Sequence, residues 1–506
     1  MPISADTADL TVGIVGSGTM GRGIAQLAAA AGCRVLLADA RPQAAAEARA
    51  GVAETFARLA AKGKMTADAA AAAAARLDAP ADPHFLGCAV VVEAIAEDLA
   101  AKQALFVRLE EEVAPDCVLA TNTSSLSVTA IAAACRHPER VAGFHFFNPV
   151  PLMRIVEVVS GCRTDPGVAA FLRALGTRMG HAAVAASDSP GFIVNHAGRG
   201  YGPEALRLLD EGVADAPTID RILVEQAGFR MGPFELFDLV GLDISAAVMD
   251  SLYAQFMHEP RYRPSPTARQ RVQAGLMGRK TGRGFYEYRE GTIVRPPEAG
   301  LPDAPEMMAW VSRTHPAEGE RLASALAAAG VQLDPGERPG AASLCLTTPL
   351  GADATTTALA EGLDPRHTLA VDPLFGFEGR RVAMPTLVTA PAFRDAGLGV
   401  LARAGHTVSL IRDSAGFVAQ RVLAMIVNIA CEIAHRRIAT PADIDRAVAL
   451  GLGYPQGPLA WGDALGAGRI REVLETVHRL TGDPRYRPSP WLRRRAGLGV
   501  PLTTPE

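Results

Sequence analysis

Thr11-Val12-Gly13-Ile14-Val15-Gly16-Ser17-Gly18-Thr19-Met20-Gly21 is the stretch on which the fold of this chain turns. Val12, Ile14 and Val15 predict a short apolar strand, and an Ala-rich helix is predicted from near Gly18. Between them Gly16 allows a tight turn, Gly18 lets backbone approach a pyrophosphate, and Gly21 lets helix pack on strand. The helix start adds free N–H groups and a positive dipole end, both suited to phosphate. Such a glycine pattern alone is weak, but the next strand strengthens it. Arg34-Val35-Leu36-Leu37-Ala38-Asp39 ends in an acid about twenty residues beyond the glycines. Asp39 can accept from the adenosine ribose hydroxyls and would repel a 2′-phosphate, which favours NAD over NADP. Arg41 is a mild signal the other way, because an arginine there can hold that phosphate.

Working outward, apolar strands alternate with helical stretches as far as about residue 187, the pattern of a mostly parallel sheet. Strands are predicted at Val12 to Val15, Val35 to Leu37, Val90 to Val92 and Val118 to Ala120. Helical pattern fills Pro42 to Ala61, breaks at Gly63, and resumes from Ala67 to Arg76. From Asp188 the pattern becomes helical throughout. Asn195 to Glu211 reads as one helix and Thr218 to Gln226 as another; Met231-Gly232-Pro233-Phe234-Glu235 opens a third, with proline near its start. A helical domain beside a nucleotide domain leaves a cleft, a common place for substrate.

His145 and Glu157 carry the chemistry. The histidine follows the apolar run Val141 to Phe144, and the glutamate lies in a second run, Ile155 to Val159. The two runs read as strands joined by the Pro-bounded turn around Asn148-Pro149-Val150-Pro151. If they lie side by side, the carboxylate can reach the imidazole and orient it for taking a proton from an alcohol.

Several segments together resemble the L-3-hydroxyacyl-CoA dehydrogenase family. They are Val91-Val92-Glu93-Ala94-Ile95-Ala96-Glu97-Asp98, Thr121-Asn122-Thr123-Ser124-Ser125-Leu126, the His145 stretch, and Asp188-Ser189-Pro190-Gly191-Phe192-Ile193-Val194-Asn195. The resemblance implies a Rossmann-like α/β NAD-binding domain followed by an all-α domain. It implies that His145 is the general acid/base, with Glu157 orienting it. Ser124 and Asn195 would bond around the C3 oxygen and the nicotinamide. Glu97, Lys102 and Asn148 would touch NAD, and Thr55 and Lys62 the CoA nucleotide; Thr55 stands where the family usually has serine.

Past residue 290 a Pro/Gly-rich linker, Gly291 to Pro302, leads into a repeat. Asp188-Ser189-Pro190-Gly191-Phe192 recurs as Asp413-Ser414-Ala415-Gly416-Phe417, and Arg261-Tyr262-Arg263-Pro264-Ser265-Pro266 returns unchanged at Arg485 to Pro490. Met231 to Glu235 recurs loosely as Gln456 to Ala460, and Gly180-His181 as Gly405-His406. Asn195 corresponds to Gln420. No GxGxxG and no His with a Glu twelve residues on lies between Pro305 and Arg412. The expected layout is a NAD-binding domain (1–187), a helical domain (188–290), a linker with a degenerate α/β remnant (291–410) and a second helical domain (411–506). In short family members such helical domains pair between subunits, and here the second copy is expected to fill that role. The layout further resembles the type of the family that oxidises 3-hydroxyadipyl-CoA in phenylacetate degradation. A distal carboxylate would call for a basic residue; Arg154, Arg199, Arg230 and Arg279 are candidates. A 3-hydroxybutyryl-CoA dehydrogenase with a short pocket is the alternative, and a crystallin-like NAD binder without turnover a third. No enoyl-CoA hydratase half precedes residue 1, so a multifunctional β-oxidation enzyme is not expected.

At 506 residues several domains are expected, and 49% hydrophobic with 21% charged residues is the balance of a globular chain. The net charge of −4, with both signs intermixed, suggests neither nucleic acid nor an anionic membrane as partner. The seven cysteines show no CxxC spacing, and His84, His137, His181 and His196 show no ligand spacing, so no metal is expected. No stretch is expected to reach the length of a membrane span, and the start lacks a signal-peptide pattern. The reading is a cytoplasmic enzyme with an acyl-CoA substrate, with a homo-oligomer as one option.

Overall fold

The computed structural model describes residues 4–41, 43–298, 300–302 and 306–506. It divides into two compact units: Met1–His196 with Arg436–Leu452, and Ala197–His435 with Gly453–Glu506.

The first unit is built on eight strands: β1 (Thr11–Val15), β2 (Arg34–Ala38), β3 (Leu77–Asp78), β4 (Val90–Glu93), β5 (Val118–Thr121), β6 (Val141–Phe146), β7 (Ile155–Ser160) and β8 (Ala182–Ser187). Their order is β3-β2-β1-β4-β5-β6-β7-β8. All neighbours are parallel except β6 and β7. Helices on both faces explain why the central strands read as unbroken apolar runs rather than alternating ones. Local signals set the helix ends. Asp98 caps Leu99–Glu112 by accepting from the Ala101 N–H, and Asp165 caps Pro166–Arg178, with Pro166 at the first turn. The helical tail is observed as Ala44–Ala61 and Ala67–Ala75 packed together; Pro42, the expected start, lies outside the described residues.

The surprise of this unit is Arg436–Leu452, which comes from the second repeat. Its helix Pro441–Gly451 packs on β7 and β8, and the Ser187 N–H donates to Ile438 O at 2.8 Å. The segment 411–506 is therefore shared between units and is not one self-contained body.

The second unit holds the other helices of both repeats and a sheet of its own. That sheet is β11 (Ala309–Val311), β12 (Leu344–Thr347), β13 (Thr368–Val371), β14 (Arg381–Pro385) and β15 (Val408–Leu410), in sequential order. Only β13 and β14 are antiparallel. The pattern reproduces β4 to β8, with β1 to β3 missing. Ahead of it, β9 (Glu287–Arg289) and β10 (Thr292–Val294) form a hairpin, so the expected linker is ordered at its start.

Two expectations are corrected. Asn195 to Glu211 is not one helix: a short helical turn, Val194–Ala197, is followed by a 3-10 turn at Gly198–Gly200 and a new helix at Gly202–Asp210. The glycines serve close packing, since a Cβ on Gly200 would sit 2.7 Å from Ile426 Cα. Secondly, one helix does reach membrane-spanning length and apolarity. Val418–His435 is predominantly apolar because 94% of it is buried as the core helix of its unit, and its polar residues such as Gln420 and Arg421 are buried too.

Candidate active site

The glycine loop leaves β1 as the sequence requires. Gly16 has φ +101°, and a Cβ there would meet Ala94 O at 2.5 Å; a Cβ on Gly21 would lie 1.9 Å from Gly16 O. Around Gly18 the space is open, at the start of Thr19–Ala30, which leaves room for a pyrophosphate over the helix N-terminus. Asp39, just past the end of β2, accepts from the Ser17 N–H (2.8 Å) and hydroxyl (2.6 Å) and from the Arg41 N–H (3.0 Å). Burial alone would raise its pKa, but these hydrogen bonds prevail and hold it at about 2. Arg41 Nε lies 3.4 Å from the Asp39 carboxylate.

His145 and Glu157 face each other across the antiparallel β6–β7 pair. His145 Nδ1 is 2.6 Å from Glu157 Oε2, and both side chains are buried. The other oxygen of Glu157 accepts from the backbone N–H groups of Ile193 (3.0 Å) and Val194 (2.9 Å). With both oxygens held, the carboxylate cannot swing, and it favours the tautomer with hydrogen on Nδ1, leaving Nε2 with a free lone pair. Phe147 and Phe192 flank the ring, with centroids at 4.4 and 5.6 Å. Phe192 sits in the left-handed region at φ +49°, a strained conformation imposed where the chain turns to present those N–H groups.

Ser124 is exposed in the turn after β5, and the Asn195 amide donates to its carbonyl at 3.4 Å. Glu97 organises that turn. It accepts from the Thr123 hydroxyl (2.6 Å) and from the N–H groups of Ser124 (2.9 Å) and Ser125 (3.0 Å). Burial opposes its ionisation, yet these bonds and Lys102 bring its pKa down to about 2. Lys102 is buried and committed to Glu93 (2.5 Å) and Glu97 (3.3 Å). Asn148 is exposed beyond β6 and is followed by a cis bond to Pro149. Thr55 lies on Ala44–Ala61, donating to Gly51 O (2.9 Å) and accepting from Arg58 (3.0 Å); Lys62, exposed, ends that helix. Of the four arginines, Arg154, Arg230 and Arg279 are exposed, and Arg199 is enclosed enough that burial lowers its pKa to about 10.

Sequence reasoning overlooked Glu93, Thr121 and Asn122 as supports. Glu93, fully buried, accepts from the Thr121 hydroxyl at 2.7 Å as well as from Lys102, and Asn122 Oδ1 accepts from the Phe146 N–H at 2.9 Å. The available signal was an acid closing the apolar run Val90 to Val92, since a buried acid needs partners. Among the described residues no group of three or more His, Cys, Asp or Glu could hold a metal ion.

The second sheet shows what became of this site in the repeat. Glu157 lies beside Val184 on β8; the matching position on β15 is Ser409, whose β14 neighbour is Val382. Val382 O in turn accepts from the Asp372 N–H at 3.0 Å. Asp372 and Val382 thus occupy the places of His145 and Glu157. Gln420, the counterpart of Asn195, donates to Asp372 Oδ1 and to Pro349 O, each at 3.0 Å.

A dinucleotide loop with a ribose-reading acid, beside an imidazole clamped by a carboxylate, defines an NAD-dependent dehydrogenase acting on an alcohol. The comparisons narrow that class. The family model for the 3-hydroxyacyl-CoA dehydrogenase NAD binding domain matches residues 11–189. The model for the C-terminal domain of that enzyme matches twice, at residues 191–288 and 416–501. The chain is 38% identical to 3-hydroxyadipyl-CoA dehydrogenase of Escherichia coli K12 over 491 residues, 96% of this chain and 98% of that protein. The crystal structure of 3-hydroxybutyryl-CoA dehydrogenase from Escherichia coli K12 superposes with a TM-score of 0.84 at 36% identity, covering 97% of this chain and 99% of that one. Human mitochondrial hydroxyacyl-coenzyme A dehydrogenase is 38% identical over 287 residues, 55% of this chain and 91% of that protein. The chain belongs to the 3-hydroxyacyl-CoA dehydrogenase family. It is an NAD-dependent enzyme that oxidises 3-hydroxyacyl-CoA, with both C-terminal repeats in one polypeptide.

Proposed function

We propose that the substrate is 3-hydroxyadipyl-CoA and that His145 is the catalytic acid/base. The observation that carries the catalytic assignment is the His145–Glu157 clamp. NAD supplies the hydride acceptor. His145 Nε2 takes the hydroxyl proton as the C3 hydride leaves, and Glu157 steadies the positive ring that results. The Ser124 hydroxyl and the Asn195 amide hold the C3 oxygen and the nicotinamide in register with the imidazole. Gly16, Gly18, Gly21 and Asp39 hold the pyrophosphate and ribose, and Asn148 meets the cofactor beyond β6. Glu97 and Lys102 act by fixing the Thr123–Ser125 turn. Thr55 and Lys62, on the helical tail, meet the CoA nucleotide. Free thiols at all seven cysteines, six of them buried, suit the cytoplasm.

The adipyl substrate is favoured by the match along almost the whole length of a two-repeat relative of that name. The 3-hydroxybutyryl name of the similar crystal structure supports the short-chain alternative. NADH formation measured with both substrates side by side separates them. We expect kcat/KM to favour the dicarboxylate by about tenfold or more, the worth of one hydrogen bond to a charged group. Equal or better turnover of the four-carbon substrate overturns the adipyl assignment.

A further inference from the structure

The helix that the second repeat places on the NAD-binding unit forms an open depression with Pro166–Arg178 and β8. Between these elements is a cavity of about 390 Å³, lined by Arg173, Thr177, His181, Arg446 and small alanines, with no carboxylate on its wall. Neither Arg173 nor Arg446 is in an ion pair, so two guanidinium groups share the mouth uncompensated. His181 lies deeper and is only 5% exposed. Its Nε2 lies 3.0 Å from Val150 O; a carbonyl only accepts, so that nitrogen carries the hydrogen. Its Nδ1 is buried and has no partner. That atom is closed to solvent, so the cavity's polar wall is made by the two arginines and Thr177.

We infer that this cavity is a binding site for a phosphate-type oxyanion, inorganic phosphate or a phosphomonoester. Two arginines suit the several oxygens of such a group, which a guanidinium fork binds in pairs. The oxyanion's partners are therefore the Arg173 and Arg446 guanidinium groups, with the imidazole of His181 forming part of the floor. The Thr177 hydroxyl, already donating to Arg173 O at 3.0 Å, keeps a lone pair that can accept from the P–OH of a monoprotonated phosphate. A simple halide fits the charge but has no hydroxyl to offer Thr177.

The site exists only because Arg446 arrives from the second repeat, and occupancy would tie the two repeats together near the chemistry. At the far end of the same helix, a Cβ on Gly451 would lie 2.9 Å from the Val194 side chain. The Val194 N–H is one of the two that hold Glu157. Bound phosphate would therefore link the second repeat to β8, the strand beside the one that carries Glu157.

Titration calorimetry with inorganic phosphate, on the full-length protein saturated with NAD and at constant ionic strength, tests the inference. We expect saturable binding with Kd of about 1 mM or tighter. Arg446→Ala and Arg173→Ala should each weaken it by about tenfold or more, with turnover in phosphate-free buffer held within about twofold. Repeating the titration with glycerol phosphate identifies the source, since tighter binding than inorganic phosphate points to an ester. Absence of saturable binding, or binding that both arginine variants leave unchanged, overturns the site.

Discussion

Strands β4 to β8 and strands β11 to β15 run in the same order with the same single antiparallel pair, yet the first set pairs a histidine with a glutamate and the second does not. In one, β6 presents His145 to Glu157; in the other, the same two places hold Asp372 and Val382. The strands that would carry a glycine loop and a ribose acid are present only in the first sheet. Strand order survives because it rests on apolar burial spread over many side chains, any one of which can be exchanged at modest cost. Catalysis rests on a few polar atoms held at fixed distances and does not tolerate such drift. The copied site is not simply blank, however. A buried polar residue still needs partners, and Gln420 supplies them to Asp372.

The largest expected effect comes from separating the repeats. Glu204 is fully buried and is paired with Arg421 and Arg485, each at 2.9 Å, and with the Tyr486 hydroxyl at 2.8 Å. All three partners belong to the second repeat. Ending the chain at Gly300 strips them away, and stranding a buried charge costs on the order of 3–5 kcal/mol, comparable to the whole stability of many domains. The same cut removes Pro441–Gly451 from β8. Aggregation of the 1–300 fragment is expected in size-exclusion chromatography, and a monodisperse monomer would refute the pairing role of the second copy.

Next in size is the chemistry itself. Replacing His145 by alanine should lower kcat on the order of 10²–10⁴ while NAD still binds, measured by steady-state NADH formation and by cofactor titration. Adding Asp372→His and Val382→Glu to that variant sharpens the comparison. No activity should return, because the second sheet lacks β1 to β3; recovery would mean that the copy retains a cofactor site.

The smallest effect is on pH. Asp39 and Glu97, held at about 2 against ordinary values of 3.8 and 4.5, contribute stability that is complete above those ordinary values. It is lost as pH falls toward about 2. Asp372, whose pKa is raised by burial from 3.8, acts in the opposite sense. Its contribution is complete below 3.8 and is lost as pH rises through the raised value. Asp372→Asn should therefore gain on the natural protein in thermal unfolding as pH rises above 3.8, by a few degrees. A constant difference across that range would show that burial does not perturb this carboxyl.

Much of the site was legible because its parts are close in sequence and have narrow requirements. The turn at Gly16 demands φ +101°, and the acid at the end of β2 follows at the spacing of one helix crossover. Glu157 reaches His145 because two adjacent antiparallel strands put residues twelve apart opposite each other. The role of Glu97 was not legible as the structure has it, since the bonds it accepts come from Thr123, Ser124 and Ser125 at the end of a different strand. The broken helix after Asn195 was missed because Gly200 answers to Ile426, more than two hundred residues away.

By itself the sequence determined the nucleotide loop, the acid/base pair and the existence of a repeat, all properties of short segments with strict local geometry. Only the tertiary structure decided that Pro441–Gly451 packs on β7 and β8, that Asp372 stands where a histidine stood, and that Arg173 and Arg446 line one cavity. Those outcomes depend on which distant surfaces bury each other, and burial is a property of the folded whole rather than of any segment.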